Sequence, residues 1–292
     1  MRGSEARAFL SSVRPNRHES FLAYSHYRYP GVAALLGAAS LVIYIADRPY
    51  GTRYGGTWAG YILGIAGAAI ILWLTWFGYR KRSYADIDGR LAGRLSAHVY
   101  FGLVLLIMVT LHTGFHFGWN VHTLAYVLMC AVIASGILGV FCYIRYPRLM
   151  TENRAGMSMQ QMVGSIATLD EQLRVSAMPL DENSALVIQR AIETSAIGGS
   201  VWRQLTGHYP DCATAAAIAH FDSGAAKVPE WAEKDWAQVR VVLSEKASLL
   251  QRVRRDIGYK AMLDAWLYLH VPVSFMLLGA LLAHVISVFF LW

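Results

Sequence analysis

Long apolar runs bounded by charged or aromatic residues dominate the pattern of this chain. Five such runs occupy residues 31–46, 56–78, 96–118, 123–144 and 265–291. The last four each exceed the roughly 18 residues that a helix needs to cross the hydrocarbon core of a bilayer. The first run is shorter and can span only if its aromatic flanks sit at the membrane interface. The pattern therefore predicts five transmembrane helices.

The segment between the fourth and fifth runs is polar and has helical periodicity. Its predicted helices cover residues 157–177, 182–195 with Asp181 as N-cap, 211–220, and a long run from Pro229 to about 262. The last of these can join the fifth apolar run without a break. The sequence thus predicts an all-α fold, an integral membrane bundle of five helices with a helical cytoplasmic insertion between helices 4 and 5.

The charges indicate which loops face the cytoplasm. The chain has 26 Lys and Arg against 19 Asp and Glu, and the formal net charge is +7. The basic excess flanks the N-terminal side of spans 1, 3 and 5, whereas the opposite side carries only Arg48 and Arg53. The positive-inside rule then places the N-terminus and residues 148–264 in the cytoplasm, and Trp292 outside. Because 148–264 holds 13 basic and 14 acidic side chains, we expect no nucleic-acid partner.

These signals divide the chain into four parts. They are a cytoplasmic N-terminal segment 1–30, transmembrane helices 1–4 in 31–147, a helical cytoplasmic domain 148–264, and transmembrane helix 5 in 265–292. No small-residue cleavage site follows the first apolar run, so we expect that span to remain in the mature protein. We expect a bacterial inner membrane, with the C-terminus in the periplasm.

Four histidines in the apolar runs form two pairs with the same spacing. His98 and His112 lie in the third run, and His270 and His284 lie in the fifth, each pair as H-x13-H. Fourteen residues place the two members of a pair about 40° apart on one helix face and roughly 21 Å apart along the axis. One member therefore lies near each surface of a core about 30 Å thick. Because spans 3 and 5 run in the same direction, His98 should pair with His270 on the cytoplasmic side, and His112 with His284 on the outer side.

Paired imidazoles at two depths indicate two haems. Ionisable groups inside a bilayer are costly and tend to mark function, and neutral imidazole is a good iron ligand. Zinc or copper usually takes three or four ligands at one depth, whereas each depth here offers two. The sequence has no C-x-x-C-H motif, so the haem is not covalently attached. We expect two non-covalent haem b groups whose iron ligands are His98, His112, His270 and His284.

Two further residues are candidates for the cofactor site. Gly102 lies one turn after His98, where it could let a macrocycle approach the backbone; packing between helices is the other interpretation. His116 lies five turns after His98 and is an alternative ligand to His112, which we prefer because its spacing matches the fifth run. His116, with nearby His122, would then lie beside the outer haem and bind a quinone oxygen or accept a proton. The other interpretation is that these are ordinary interfacial polar residues.

The doubled H-x13-H pattern resembles the membrane cytochromes b that hold two haems between paired helices. The spacing is similar to that of the cytochrome b of the quinol–cytochrome c reductase complex. The placement in spans 3 and 5 resembles the transmembrane domain of ferric reductases and NADPH oxidases. The resemblance covers those two spans and, loosely, the bundle, but not residues 148–264. Unlike the reductases, this sequence contains no flavin- or nicotinamide-binding motif.

The expected function is that of a di-haem b-type cytochrome subunit of a membrane redox complex. It would carry electrons across the lipid membrane between the quinone pool and a partner protein, such as an iron–sulfur, flavin or cytochrome c subunit. Residues 148–264 would shield the inner haem or seat that partner. One alternative is a self-contained transmembrane reductase of an external acceptor. Another, from a different class, is a haem-free transporter or sensor whose histidines relay protons.

Overall fold

The computed structural model describes residues 24–83, 90–224 and 228–290. Side chains are described for residues 27–76, 93–224 and 228–290. Most of the predicted N-terminal segment 1–30 and the terminal residue Trp292 lie outside the described residues, and so do the expectations that concern them. In the described part every regular element is a helix.

Nine α-helices, numbered here in chain order, make up the described structure. They are α1 (Tyr24–Ala46), α2 (Trp58–Ser83), α3 (Arg90–Thr113), α4 (Val121–Arg154), α5 (Met159–Ser176), α6 (Glu182–Glu193), α7 (Val201–Thr206), α8 (Ala213–Gly224) and α9 (Glu233–Phe290). Helices α1 to α4 and α9 are long and apolar enough to cross a membrane. The predicted all-α class and the five candidate spans are confirmed.

Helix α9 is longer than the fifth apolar run by more than a factor of two. It is one helix of 58 residues that begins in the polar segment, passes through Pro272 and includes both His270 and His284. A proline inside a helix removes a single backbone hydrogen bond, and the helix continues when packing supports its flanks. In the polar segment before it, the Asp181 carboxylate accepts from the Ser184 amide and caps α6, as predicted. Helix α7 was not predicted, and α8 ends four residues later than the predicted helix.

The described residues pack as two compact units. The first comprises residues 1–137 and 269–292, and the second comprises residues 138–268. In the first unit, α3 packs against both α1 and α2. Its core is formed by Ile71, Leu74, Leu105, Met129 and Leu277. Large apolar side chains on the outward faces, such as Leu35, Ile65 and Phe275, are exposed. Such a surface is suited to lipid rather than to water.

The second unit has a conventional buried core. It is formed by Leu173, Ile188, Phe221, Val239, Leu243 and neighbouring residues of α5, α6, α8 and α9. Lys246 is also buried there, with 1% of its side chain exposed. Its Nζ donates to the Ala191 carbonyl oxygen at 2.7 Å and lies 2.5 Å from the Asp170 carboxylate. Burial of this ammonium is tolerated because both contacts replace the water it loses.

An ion pair with bidentate geometry joins the end of α4 to α9 within this unit. Arg154 Nε and Nη2 donate to the two carboxylate oxygens of Asp256 at 2.9 and 2.7 Å. Only 1% of the Asp256 side chain is exposed, against 34% of Arg154. The carboxylate is therefore buried, and the guanidinium is its ion-pair partner.

Replacing Arg154 with methionine should destabilise the second unit by about 3–5 kcal/mol, because a buried carboxylate loses its partner. The matched control is Arg148→Met on the same helix. Arg148 pairs with Glu152, but both side chains are more than half exposed, and such a pair contributes at most about 1 kcal/mol. Thermal unfolding of the full chain in detergent measures both. Equal loss of stability in the two variants would contradict this role for Asp256.

Candidate functional site

His112 lies near the end of α3 against a glycine-rich stretch that leads into α2. Its Nδ1 lies 2.7 Å from the carbonyl oxygen of Gly60. A carbonyl oxygen can only accept, so in the neutral ring Nδ1 carries the proton and Nε2 keeps the lone pair. A Cβ atom at Gly64 would lie 2.7 Å from His112 Cε1, and one at Gly55 would lie 3.2 Å from the same atom. The His112 ring thus packs directly against the backbone at positions where only glycine leaves room for it.

The structure brings His112 and His284 together, as the sequence predicts for the outer pair. The ring centroids are 6.0 Å apart and the ring planes are nearly perpendicular, at 82°. His112 is on α3 and His284 is on α9, so the contact joins the two histidine-bearing helices. Both side chains are half-buried.

A third histidine completes this cluster from the start of α4. The Nδ1 atoms of His122 and His284 lie 2.5 Å apart, with ring centroids at 4.6 Å. One of these nitrogens must donate and the other accept. If His284 donates, its Nε2 keeps the lone pair, as in His112.

His270 is oriented by α4 in the same way. Its Nδ1 lies 2.8 Å from Ser135 Oγ, and the Ser135 hydroxyl in turn donates to the Val132 carbonyl oxygen at 2.9 Å. A hydroxyl has one proton, so the serine oxygen accepts from Nδ1–H of His270 and the lone pair of that ring is on Nε2. A Cβ atom at Gly136 would lie 3.6 Å from His270 Cε1, which is ordinary contact.

The remaining predicted site residues lie on α3 or just after it. His98 is half-buried on the same uninterrupted helix as His112, and its pairing with His270 stays a prediction. Gly102 is near it, and a Cβ atom there would meet no described atom within 4 Å. His116 is in the exposed loop after α3, where its Nδ1 lies 2.8 Å from the Gly114 carbonyl oxygen. This local contact turns His116 to its own loop rather than into the cluster.

Two features of these residues are compatible with a metal ion held by a pair of imidazoles. A metal ion held by two imidazoles lies about 2 Å from the nitrogen of each ring. With the distance from each nitrogen to its ring centre added, the two ring centres are separated by roughly the 6.0 Å that is found between His112 and His284. A histidine ligand usually donates its second ring N–H to a carbonyl or another acceptor. Gly60 and Ser135 provide such acceptors for His112 and His270. Among the described residues there is no group of three or more His, Cys, Asp or Glu that could hold a metal ion.

Comparisons of this chain with models of protein families, with curated proteins and with solved structures find no match. A proposal for the function of this chain therefore rests on the geometry of the site.

Sequence reasoning missed the groups that orient the imidazoles. Gly60 and Gly64 share a small-x3-small spacing that is typical of close helix packing in membranes, and this signal was available. The sequence did not indicate that Ser135 contacts a histidine, because a serine in an apolar run usually forms a hydrogen bond to a carbonyl of its own helix. It does bond back to Val132, and it also accepts from His270.

Replacing Gly64 with alanine should displace the His112 ring, because the new Cβ would lie 2.7 Å from Cε1 and 2.8 Å from Nδ1. We expect a loss of about 1–3 kcal/mol in stability from overpacking. The ¹⁵N signal of the protonated His112 Nδ1 should also shift, because the ring moves away from the Gly60 carbonyl.

Gly67→Ala is the matched control, one turn further along α2. Its Cβ would contact Val109 at 3.2 Å and Leu105 at 3.9 Å, but no histidine. An unchanged His112 signal in Gly64→Ala, or the same shift in both variants, would contradict this account of how the ring is held.

Proposed function

We propose that this protein is the di-haem b-type cytochrome subunit of a membrane redox complex, and that it carries electrons across the bilayer between the quinone pool and a partner redox protein. The observation that carries the proposal is the contact between His112 and His284, which come from two separate helices and have ring centres 6.0 Å apart. The hydrogen bonds at Nδ1 of His112 and His270 support it, because they direct the Nε2 lone pairs that iron requires.

In this proposal His112 and His284 hold the outer haem, and His98 and His270 hold the inner one. When bound, each haem would supply one-electron transfer, with a pair of imidazoles holding its iron. Gly60 and Ser135 fix the tautomer and the orientation of two of these rings. His122 does the same for His284 when the His284 Nδ1 donates.

The membrane orientation belongs to the same proposal. We place the N-terminus and residues 148–264 in the cytoplasm of a bacterium, with the C-terminus in the periplasm, on the positive-inside rule. The exposed aromatic side chains of Phe115, Phe117 and Trp119, between α3 and α4, suit the outer interface, where a quinone would approach His116. Residues 148–264 would then receive the soluble redox partner.

A second candidate function rests on the direct contact between His122 and His284. Two imidazoles joined through Nδ1, with His112 against one of them, are also the arrangement of a proton relay. The protein would then be a haem-free transporter or sensor. The di-haem proposal predicts that the purified protein contains haem pigment, and the proton-relay candidate predicts that it contains none.

The full chain purified in mild detergent should contain two haems and show b-type bands in a reduced-minus-oxidised spectrum. His270→Ala should lose one of them and keep the other, because each iron depends on its own pair of histidines. His220→Ala is the control, since His220 lies in the second unit against Ser184 and should keep both haems.

A pigment-free wild-type protein would refute the di-haem proposal and leave the proton relay. Retention of two haems by His270→Ala would refute the assignment of that ligand. Quinol reduction of the chain purified alone distinguishes a self-contained reductase from a subunit that needs a partner.

Gly102→Ala tests whether a cofactor uses the space beside His98. The described protein atoms leave that position open within 4 Å, and alanine favours a helix over glycine by about 1 kcal/mol. The variant should therefore fold normally and lose or perturb one haem.

Gly279→Ala is the matched control for this variant. Gly279 is equally open, but it lies about 180° around α9 from His270 and about 140° from His284, away from both ligands. If the Gly102→Ala variant kept two unperturbed haems, no haem would use the space at Gly102.

A further inference from the structure

A cavity of about 710 Å³ lies within the second unit. Its walls come from the end of α4, from α7 and the loop after it, from α8, and from α9. This volume is in the range of about 300–1,000 Å³ that is usual for sites of small organic molecules. All of its lining residues are within residues 138–268, so the cavity is separate from the histidine cluster.

The charge of the cavity wall is positive and has no acidic counterpart. Arg254 and Arg255 both line it, and its described lining residues include no Asp or Glu. Arg254 Nε and Nη2 donate to the Ala196 carbonyl oxygen at 3.0 and 2.6 Å, and its guanidinium lies 4.1 Å from the centre of the Tyr209 ring. These contacts hold the guanidinium in place, but none of them neutralises its charge.

Two other groups of the wall, Tyr209 and Cys212, lie beside the Arg254 guanidinium. The hydroxyl oxygen of Tyr209 is buried and has no hydrogen-bond partner among the described residues. Cys212 Sγ lies 3.3 Å from Arg254 Nη2. Burial opposes ionisation of this thiol, but the hydrogen bond from Arg254, with those from backbone amides, holds its pKa below the ordinary value. The wall therefore offers the fixed guanidinium of Arg254 to an anion.

Another part of the wall is aromatic. The rings of Tyr146 and Tyr259 stack with centroids 5.7 Å apart and planes at 29°, and both residues line the cavity. An anion that also carries a flat ring would use both parts of the wall.

We propose that this cavity binds a small phosphate monoester carrying a flat ring, with the phosphate on Arg254 and Arg255 beside Tyr209, and the ring against Tyr146 and Tyr259. The same phosphate chemistry can come from a water-soluble ligand or from the headgroup of an anionic lipid. This binding is independent of haem, so failure of the di-haem proposal would leave it unaffected.

The test uses the full chain in detergent and isothermal titration calorimetry with adenosine 5′-monophosphate as the probe. Arg255→Ala should weaken binding roughly tenfold or more, because a charge-assisted hydrogen bond contributes about 1.5–3 kcal/mol. Arg252→Ala is the control, since Arg252 is equally exposed on the same helix but does not line the cavity. Adenosine, which lacks the phosphate, should bind much more weakly.

Cys212 provides a second measurement within the same cavity. Bound adenosine 5′-monophosphate should slow its alkylation by N-ethylmaleimide in the wild type and in Arg252→Ala. Displacement of the nucleotide by micellar phosphatidic acid, but not by phosphatidylcholine, would show that a lipid phosphate without a ring can occupy the site, and would overturn the part of the proposal that concerns the ring. No displacement would support the proposal with a soluble, ring-bearing ligand. Absence of binding by the nucleotide, inorganic phosphate and phosphatidic acid, or equal loss in the two arginine variants, would overturn it.

Discussion

The hydrogen bonds at the Nδ1 atoms of the buried histidines are the constraint on which the rest of this site depends. An imidazole on a helix can rotate about its side-chain torsions, and it can carry its proton on either nitrogen. The Gly60 carbonyl and the Ser135 hydroxyl remove both freedoms for His112 and His270. In an apolar environment this matters more than in water, because a misdirected ring nitrogen has no solvent to satisfy it. The orientation of these two rings is thus set by the protein itself.

This constraint explains the glycines of the α2 region. The Gly60 carbonyl can approach His112 only if the backbone of α2 comes close to α3, and a side chain at Gly64 would fill the space of the ring. Glycine weakens a helix by about 1 kcal/mol relative to alanine. Helix α2 nevertheless has glycine at successive positions along one face. Close packing of this kind also replaces the hydrophobic driving force that helices lack within lipid.

The sequence could predict the helices, because apolar length and caps are local properties. The five candidate spans and the Asp181 cap follow from such signals, and both are confirmed. The equal spacing of His98–His112 and His270–His284 also led to the expectation that His112 and His284 would meet. The contacts of Ser135 and His122 could not be predicted, because they depend on how far α4 is rotated about its own axis toward α9. The periodicity of one helix does not indicate how that helix is rotated relative to another.

The contact between His122 and His284 shows why the position of one proton decides between electron transfer and proton relay. If His284 donates from Nδ1, His122 is its acceptor, and Nε2 of His284 keeps the lone pair that iron needs. If His122 donates instead, a neutral His284 has its proton on Nε2 and cannot bind iron there. The Gly60 carbonyl and the Ser135 hydroxyl place the proton on Nδ1 of His112 and His270, the tautomer that leaves Nε2 free to bind iron. These acceptors act locally and do not fix the proton between His122 and His284. The tautomer of His284 is therefore the point at which the two candidate functions require different structures.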